Sequence, residues 1–87
     1  MNFGEIIGEI QLKLIKEANE FAKLNQKYES DISLVSGRNC VDGKSVLGLF
    51  SLSLDKPVGI AFIEKVPGEK EAYVNELNAS GFNFAMM

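Results

Sequence analysis

The residues of this chain best placed for chemistry lie in VDGKSVLGLFSLSL, residues 41–54. Asp42-Gly43 has turn composition. Ser45 is a short polar side chain set directly before the apolar Val46-Leu47-Gly48-Leu49-Phe50, an order that predicts a helix with Ser45 as its N-cap. Gly48 limits that helix to one or two turns. A cap of this kind contributes about 1 kcal/mol, so the serine has a structural reason to be there whatever else it does.

The rest of the sequence is poor in reactive groups. It contains no histidine, which removes Ser-His-Asp catalysis and histidine-bearing zinc patterns. Cys40 has no second cysteine to pair with and no histidine to activate it, so it reads as a small strand residue. The missing disulfide favours a reducing, intracellular compartment. Asp42 could be grouped with Asp31 or Glu64 into a metal or acid/base site, but no spacing requires it. No catalytic residue, cofactor or metal ion is expected, and the chain reads as a non-enzyme.

Nine Lys and Arg oppose twelve Asp and Glu, a net charge of −3. No run gathers the bases, which argues against nucleic acid as a partner. No apolar stretch approaches membrane-spanning length, and the first residues lack the basic start and apolar run of a signal peptide. These features predict a soluble cytoplasmic protein. Its 87 residues fit one domain,, with a core over about 6–81 and an apolar tail, 82–87, that either packs on the domain or pairs two copies.

The elements that must position Ser45 follow from periodicity. From Ile6 the pattern alternates, with Ile6, Gly8, Ile10 and Leu12 on one side and Ile7, Glu9, Gln11 and Lys13 on the other, which predicts a strand. From Ile15 the period becomes helical through Ala18, Phe21, Ala22 and Asn25, ending near Lys27 with Tyr28 packing back on the core. Asp31 to Val35 alternates, Ser36-Gly37-Arg38-Asn39 has turn composition, and Asn39 to Asp42 returns as the second strand of a hairpin. After the short helix and a loop at Asp55-Lys56-Pro57, Val58, Ile60 and Phe62 mark a central strand. A last helix runs from Glu69, with Tyr73, Val74 and Leu77 on one face, and stops at Gly81. The order predicts an α+β fold, one antiparallel sheet with helices on a single face.

The runs YESDI (residues 28–32) and SGRNCVDGKSVLGLFSLSL (residues 36–54), with Lys56-Pro57 after them, resemble HPr, the small phosphocarrier family of the bacterial sugar phosphotransferase system. The resemblance covers about 6–81, and KSVLG at 44–48 is its most specific part. It implies the family's βαββαβα open-faced sandwich with a four-stranded antiparallel sheet. A typical member carries a phosphoryl-accepting histidine at the start of the first helix, then an arginine and a proline. Counting back without gaps from Tyr28 puts Leu14, Lys16 and Glu17 in those places; if the first strand instead runs to Leu12 the active loop is shortened, and neither alignment supplies a histidine. Leucine offers no nucleophile, and Lys16 is protonated near neutral pH with no visible device to change that. Phosphohistidine relay is therefore excluded.

The resemblance further implies a regulatory role. In many Gram-positive members the serine matching Ser45 is phosphorylated by an ATP-dependent HPr serine kinase, and the modified protein binds a transcriptional regulator. A phosphate at a helix N-terminus meets free N–H groups and the positive dipole end, so modification there is stabilising. The family's docking patch falls on Val46, Leu47 and Phe50, with Leu49 and Leu52 facing the core. The alternative is a constitutive interaction or structural domain with unmodified Ser45 and a homodimer formed through the tail.

Overall fold

The computed structural model describes residues 4–52 and 56–86. Its elements are β1 (Glu5–Gln11), α1 (Ile15–Asn25), β2 (Asp31–Ser36), β3 (Asn39–Asp42), α2 (Val46–Phe50), β4 (Val58–Ile63), α3 (Glu69–Ala79) and β5 (Asn83–Met86). Among the described residues the sheet has five strands in the order β3-β2-β4-β1-β5, every neighbouring pair antiparallel. The α+β class and the single helical layer are as expected. The strand count is not: the tail makes a fifth strand along β1. The part of the tail at Met87, and Ser53, Leu54 and Asp55 after α2, lie outside the described residues.

The core lies between sheet and helices because the strands alternate. Ile32 pairs with Phe62, Leu34 with Ile60, and Ile10 with Val58, so these six share the covered face. Against them pack Ala18, Phe21 and Ala22 of α1, Leu49 of α2, and Tyr73 and Leu77 of α3. Burying each large apolar side chain contributes about 1.5–3 kcal/mol relative to leaving it in water. The other face presents Glu9, Gln11, Asp31 and Ser33 beside Gly59 and Ala61, which places all three helices opposite it. No helix among the described residues is long and apolar enough to cross a membrane.

β1 departs from simple alternation. Its register shifts between Ile6 and Gly8, and the extra residue of such a bulge turns two consecutive positions toward one side. Ile7 and Gly8 are therefore both buried while Ile6 lies exposed, the reverse of the expected placing of the two isoleucines. Gly8, Ile10 and Leu12 keep their inward positions.

Gly8 also explains how the tail docks. A Cβ at this position would stand 2.5 Å from the Ala85 carbonyl oxygen and 2.7 Å from the Phe84 ring. Only a hydrogen there lets β5 close on β1. Gly8→Ala is expected to lower stability by about 1–3 kcal/mol through overpacking, with amide exchange rising first in β5. Unchanged β5 protection in hydrogen exchange would show that the strand is not held by this contact.

Candidate functional site

α2 is one short helix set at the end of a well-tied loop. Ser45 is its N-cap in extended conformation, and its Oγ accepts from the Gly48 N–H at 3.1 Å. The Ser45 carbonyl accepts from Leu49 at 3.0 Å. At the other end the Ser51 hydroxyl donates to the Gly48 carbonyl at 2.6 Å. The expected cap is thus present, and its loss in Ser45→Ala should cost about 1 kcal/mol without unfolding the domain.

The loop before it is fixed residue by residue. The Asp42 carboxylate accepts from the Lys44 N–H at 2.9 Å, and the Asp42 carbonyl from the Ser45 N–H at 3.2 Å. The Gly43 N–H donates to the Ile32 carbonyl at 2.8 Å. From α1 and the turn after it come the side-chain amides of Asn25 and Gln26, which donate to the carbonyls of Gly43 (2.7 Å) and Lys44 (2.9 Å). The Lys44 ammonium in turn donates to the Tyr28 carbonyl at 2.5 Å.

Three side chains were expected on an exposed apolar patch. Leu47 is 83% exposed and Phe50 44%. Val46 is half-buried and packs on the core, because on a helix it shares a side with Leu49 three residues on. Leu49 and Leu52 are buried, as expected.

The start of α1 carries apolar surface of its own. Leu14 is the residue preceding the first helical turn, 62% exposed, and Ile15 is 71% exposed. Helical spacing aligned Ile15 with the inward Ala18 and Ala22, yet the buried part of α1 begins only at Ala18. One signal was readable: two consecutive aliphatic residues between Lys13 and Lys16, where a helix start ordinarily carries polar caps. Leu14 has no capping side chain. Glu17 does that work, its Oε1 accepting from the N–H groups of Lys13 (2.9 Å) and Leu14 (3.1 Å).

The other candidate groups are engaged locally. Asp31 pairs with Lys65 at 3.3 Å, and Glu64 accepts from the Lys70 N–H at 2.9 Å. Cys40, half-buried, sits on β3 opposite Val35 on the uncovered side of the sheet.

Two carboxylates of α3 tie it to the segment after α1. Buried Ser30 donates from its hydroxyl (2.6 Å) and its N–H (2.9 Å) to Glu69, and the Glu76 carboxylate takes the Tyr28 hydroxyl and the Lys27 ammonium. The Ser30 hydroxyl bond holds the Glu69 carboxyl below its ordinary value of 4.5, and the Lys27 bond does the same for Glu76. Burial pushes the Tyr28 and Tyr73 phenols above 10.0. For the carboxyls, folding binds fewer protons than the unfolded chain, so their contribution is present above pH 4.5 and lost as pH falls through the folded values,. For the phenols it is present below pH 10.0 and lost on further rise,. Thermal melts across pH should therefore decline at both ends, and Glu69→Gln should blunt the acid limb. An acid limb unchanged by Glu69→Gln would remove the Ser30–Glu69 contact as its cause.

Comparison with known proteins bears on the fold and the family. The search of curated proteins produced no match. Among solved structures, Crh of Bacillus subtilis, a catabolite repression containing protein crystallised as an intertwined dimer with a swapped domain, superposes with a TM-score of 0.61. Crh shares 22% identity with this chain, the superposition covering 91% of this chain and 88% of that one, a likeness in fold. The family model described as "PTS HPr component phosphorylation site" matches residues 15–79. That match spans α1 through α3, the elements that frame Ser45, and the chain belongs to the HPr family of the phosphotransferase system.

Proposed function

We propose that this chain is an HPr-family domain without phosphohistidine transfer, acting through protein contacts in the cytoplasm and switched by phosphorylation of Ser45. The observation that carries the reading is a capping serine flanked by the exposed Leu47 and Phe50, in a chain with no histidine. An ATP-dependent HPr serine kinase would transfer the γ-phosphoryl. The Ser45 oxygen forms the new P–O bond, the bond to the β-phosphate oxygen breaks, ADP leaves, and the hydroxyl proton passes to a base of the kinase. The phosphorylated form would then dock on a transcriptional regulator through Leu47, Phe50 and the outer part of Val46. Apolar side chains of this kind anchor interfaces when rimmed by polar groups.

The test is the intact mass of the protein from its own cells under rich and poor carbon supply. A phosphate increment mapped to Ser45 and varying with carbon source is the expected result, with none in Ser45→Ala. An unmodified mass under both conditions overturns the switch.

The alternative is a constitutive binding domain, and the dimeric form of Crh favours a second copy as its partner. Self-association through the tail is the weaker version. Phe82 stacks edge-on against Phe21 with ring centroids 5.8 Å apart, and Phe84 packs on the core. Sedimentation of the full chain against one ending at Gly81 tests both: identical monomers exclude a homodimer of either kind, and a dimer that survives truncation excludes one built on the tail.

A further inference from the structure

Asn25 stands on the inward side of α1, in line with Ala18, Phe21 and Ala22, where spacing calls for an apolar residue,. It is fully buried, and burial of an amide is tolerable only if its groups are bonded,. Both are. Nδ2 donates to the Gly43 carbonyl at 2.7 Å, and Oδ1 accepts from the Tyr73 hydroxyl at 2.7 Å. One side chain thus joins α1, the loop two residues before Ser45, and α3.

The contact is close by construction. A Cβ on Gly43 would lie 3.0 Å from the Ile32 carbonyl oxygen and 3.1 Å from Asn25 Nδ2. Gln26 holds the next carbonyl, that of Lys44. The two peptide groups leading into Ser45 are therefore both held from α1 and the residue that ends it. The Asn25 half of that hold is itself oriented by Tyr73, whose hydroxyl fixes which end of the amide faces the loop.

We infer that Asn25 is a positioning residue for Ser45: bonded between Tyr73 and the Gly43 carbonyl, it keeps the 43–45 main chain in the one conformation that presents the serine hydroxyl to a kinase. The inference rests on the Ser45 reading and deepens it by making α3 part of the same site. If the loop is held in its competent conformation only a fraction of the time, apparent affinity falls by that fraction while the chemical step is untouched. Loss of the Asn25 bonds should therefore raise KM and leave kcat unchanged.

The experiment uses the full chain with a bacterial HPr serine kinase and ATP, alongside amide exchange followed by NMR. Asn25→Leu should raise KM about tenfold at constant kcat. Exchange at Gly48, whose N–H is bonded to Ser45 Oγ, should rise by a similar factor while β4 stays protected. Tyr73→Phe, a milder change that does not touch the loop, should shift both readouts in the same direction and serves if Asn25→Leu fails to fold. Kinetics equal to wild type in both variants, or exchange rising evenly across the sheet, overturns the inference alone. A wild-type chain that takes no phosphate on Ser45 overturns the Ser45 reading and the inference with it.

Discussion

Phe21→Ala is expected to remove about 3–5 kcal/mol of stability, the usual range for a buried phenylalanine cut to alanine. Phe21 is fully buried and its ring meets Phe82 edge-on at 82°. The loss therefore includes transfer of the ring, the cavity it leaves, and an aromatic contact worth about 0.5–1.5 kcal/mol. Domains hold about 5–15 kcal/mol in total, so the variant is left close to its unfolding limit. At about 4–8 °C per kcal/mol for a chain of this size, the melting temperature should fall by at least about 12 °C. The cavity opens beneath Phe82, which leads into β5, so exchange protection of Asn83–Met86 should fall more than that of β4. A shift under about 5 °C, small on the same scale, would mean that α1 is held mainly by something other than this ring.

The contrast between what Phe21 and the tail reveal shows where a sequence can be read. Phe21 follows helical spacing with Ala18 and Ala22, a local pattern that fixes its side of the helix without any knowledge of the partner. The same holds for Val58, Ile60 and Phe62 in β4, and for Ser45, whose capping role depends only on the five residues after it. β5 is different. Residues 82–86 read as an apolar tail that either packs on the domain or pairs two copies, and their pairing as a strand rests on a β1 edge made receptive by Gly8, more than seventy positions away. The bulge at Ile7 is likewise invisible to alternation, since the register shift depends on how β1 meets β4.

The site divides in the same way. Leu47 and Phe50 are legible only through the family resemblance, since the apolar run 46–50 by itself leaves open which of its residues face outward. Helical spacing puts Asn25 on the right face, but its meaning is hidden: its partners lie 18 and 48 residues away. A buried polar residue at an apolar position signals that a partner exists without naming it. Leu14 stands at the other extreme. Its match to the family's histidine place follows from counting back from Tyr28, while the role of Glu17 at the α1 terminus appears only once two N–H groups are seen converging on its carboxylate.

Restoring an imidazole by Leu14→His alone is expected to give a poor phosphoryl acceptor. The side chain at this position is open to solvent, so access is not the obstacle. The helix terminus that would stabilise an added phosphate already holds an anion, because Glu17 Oε1 lies within 3.1 Å of both the Lys13 and Leu14 amide nitrogens. Two unit charges about 4 Å apart repel by about 1 kcal/mol in bulk water and by several-fold more near a protein surface. A phosphoryl dianion doubles that, to more than a tenfold effect on its formation. Leu14→His with Glu17→Gln keeps an oxygen able to cap the same amides while removing the charge. With phosphoramidate as a chemical donor, the imidazole nitrogen forms the new P–N bond as the donor's P–N bond breaks and ammonia leaves. The phosphoimidazole signal in 31P NMR should accumulate at least tenfold faster in the double variant than in Leu14→His, and be absent in Ser45→Ala, which has no imidazole. Equal rates in the two histidine variants would show that the Glu17 carboxylate is no barrier to a phosphoryl group at this position.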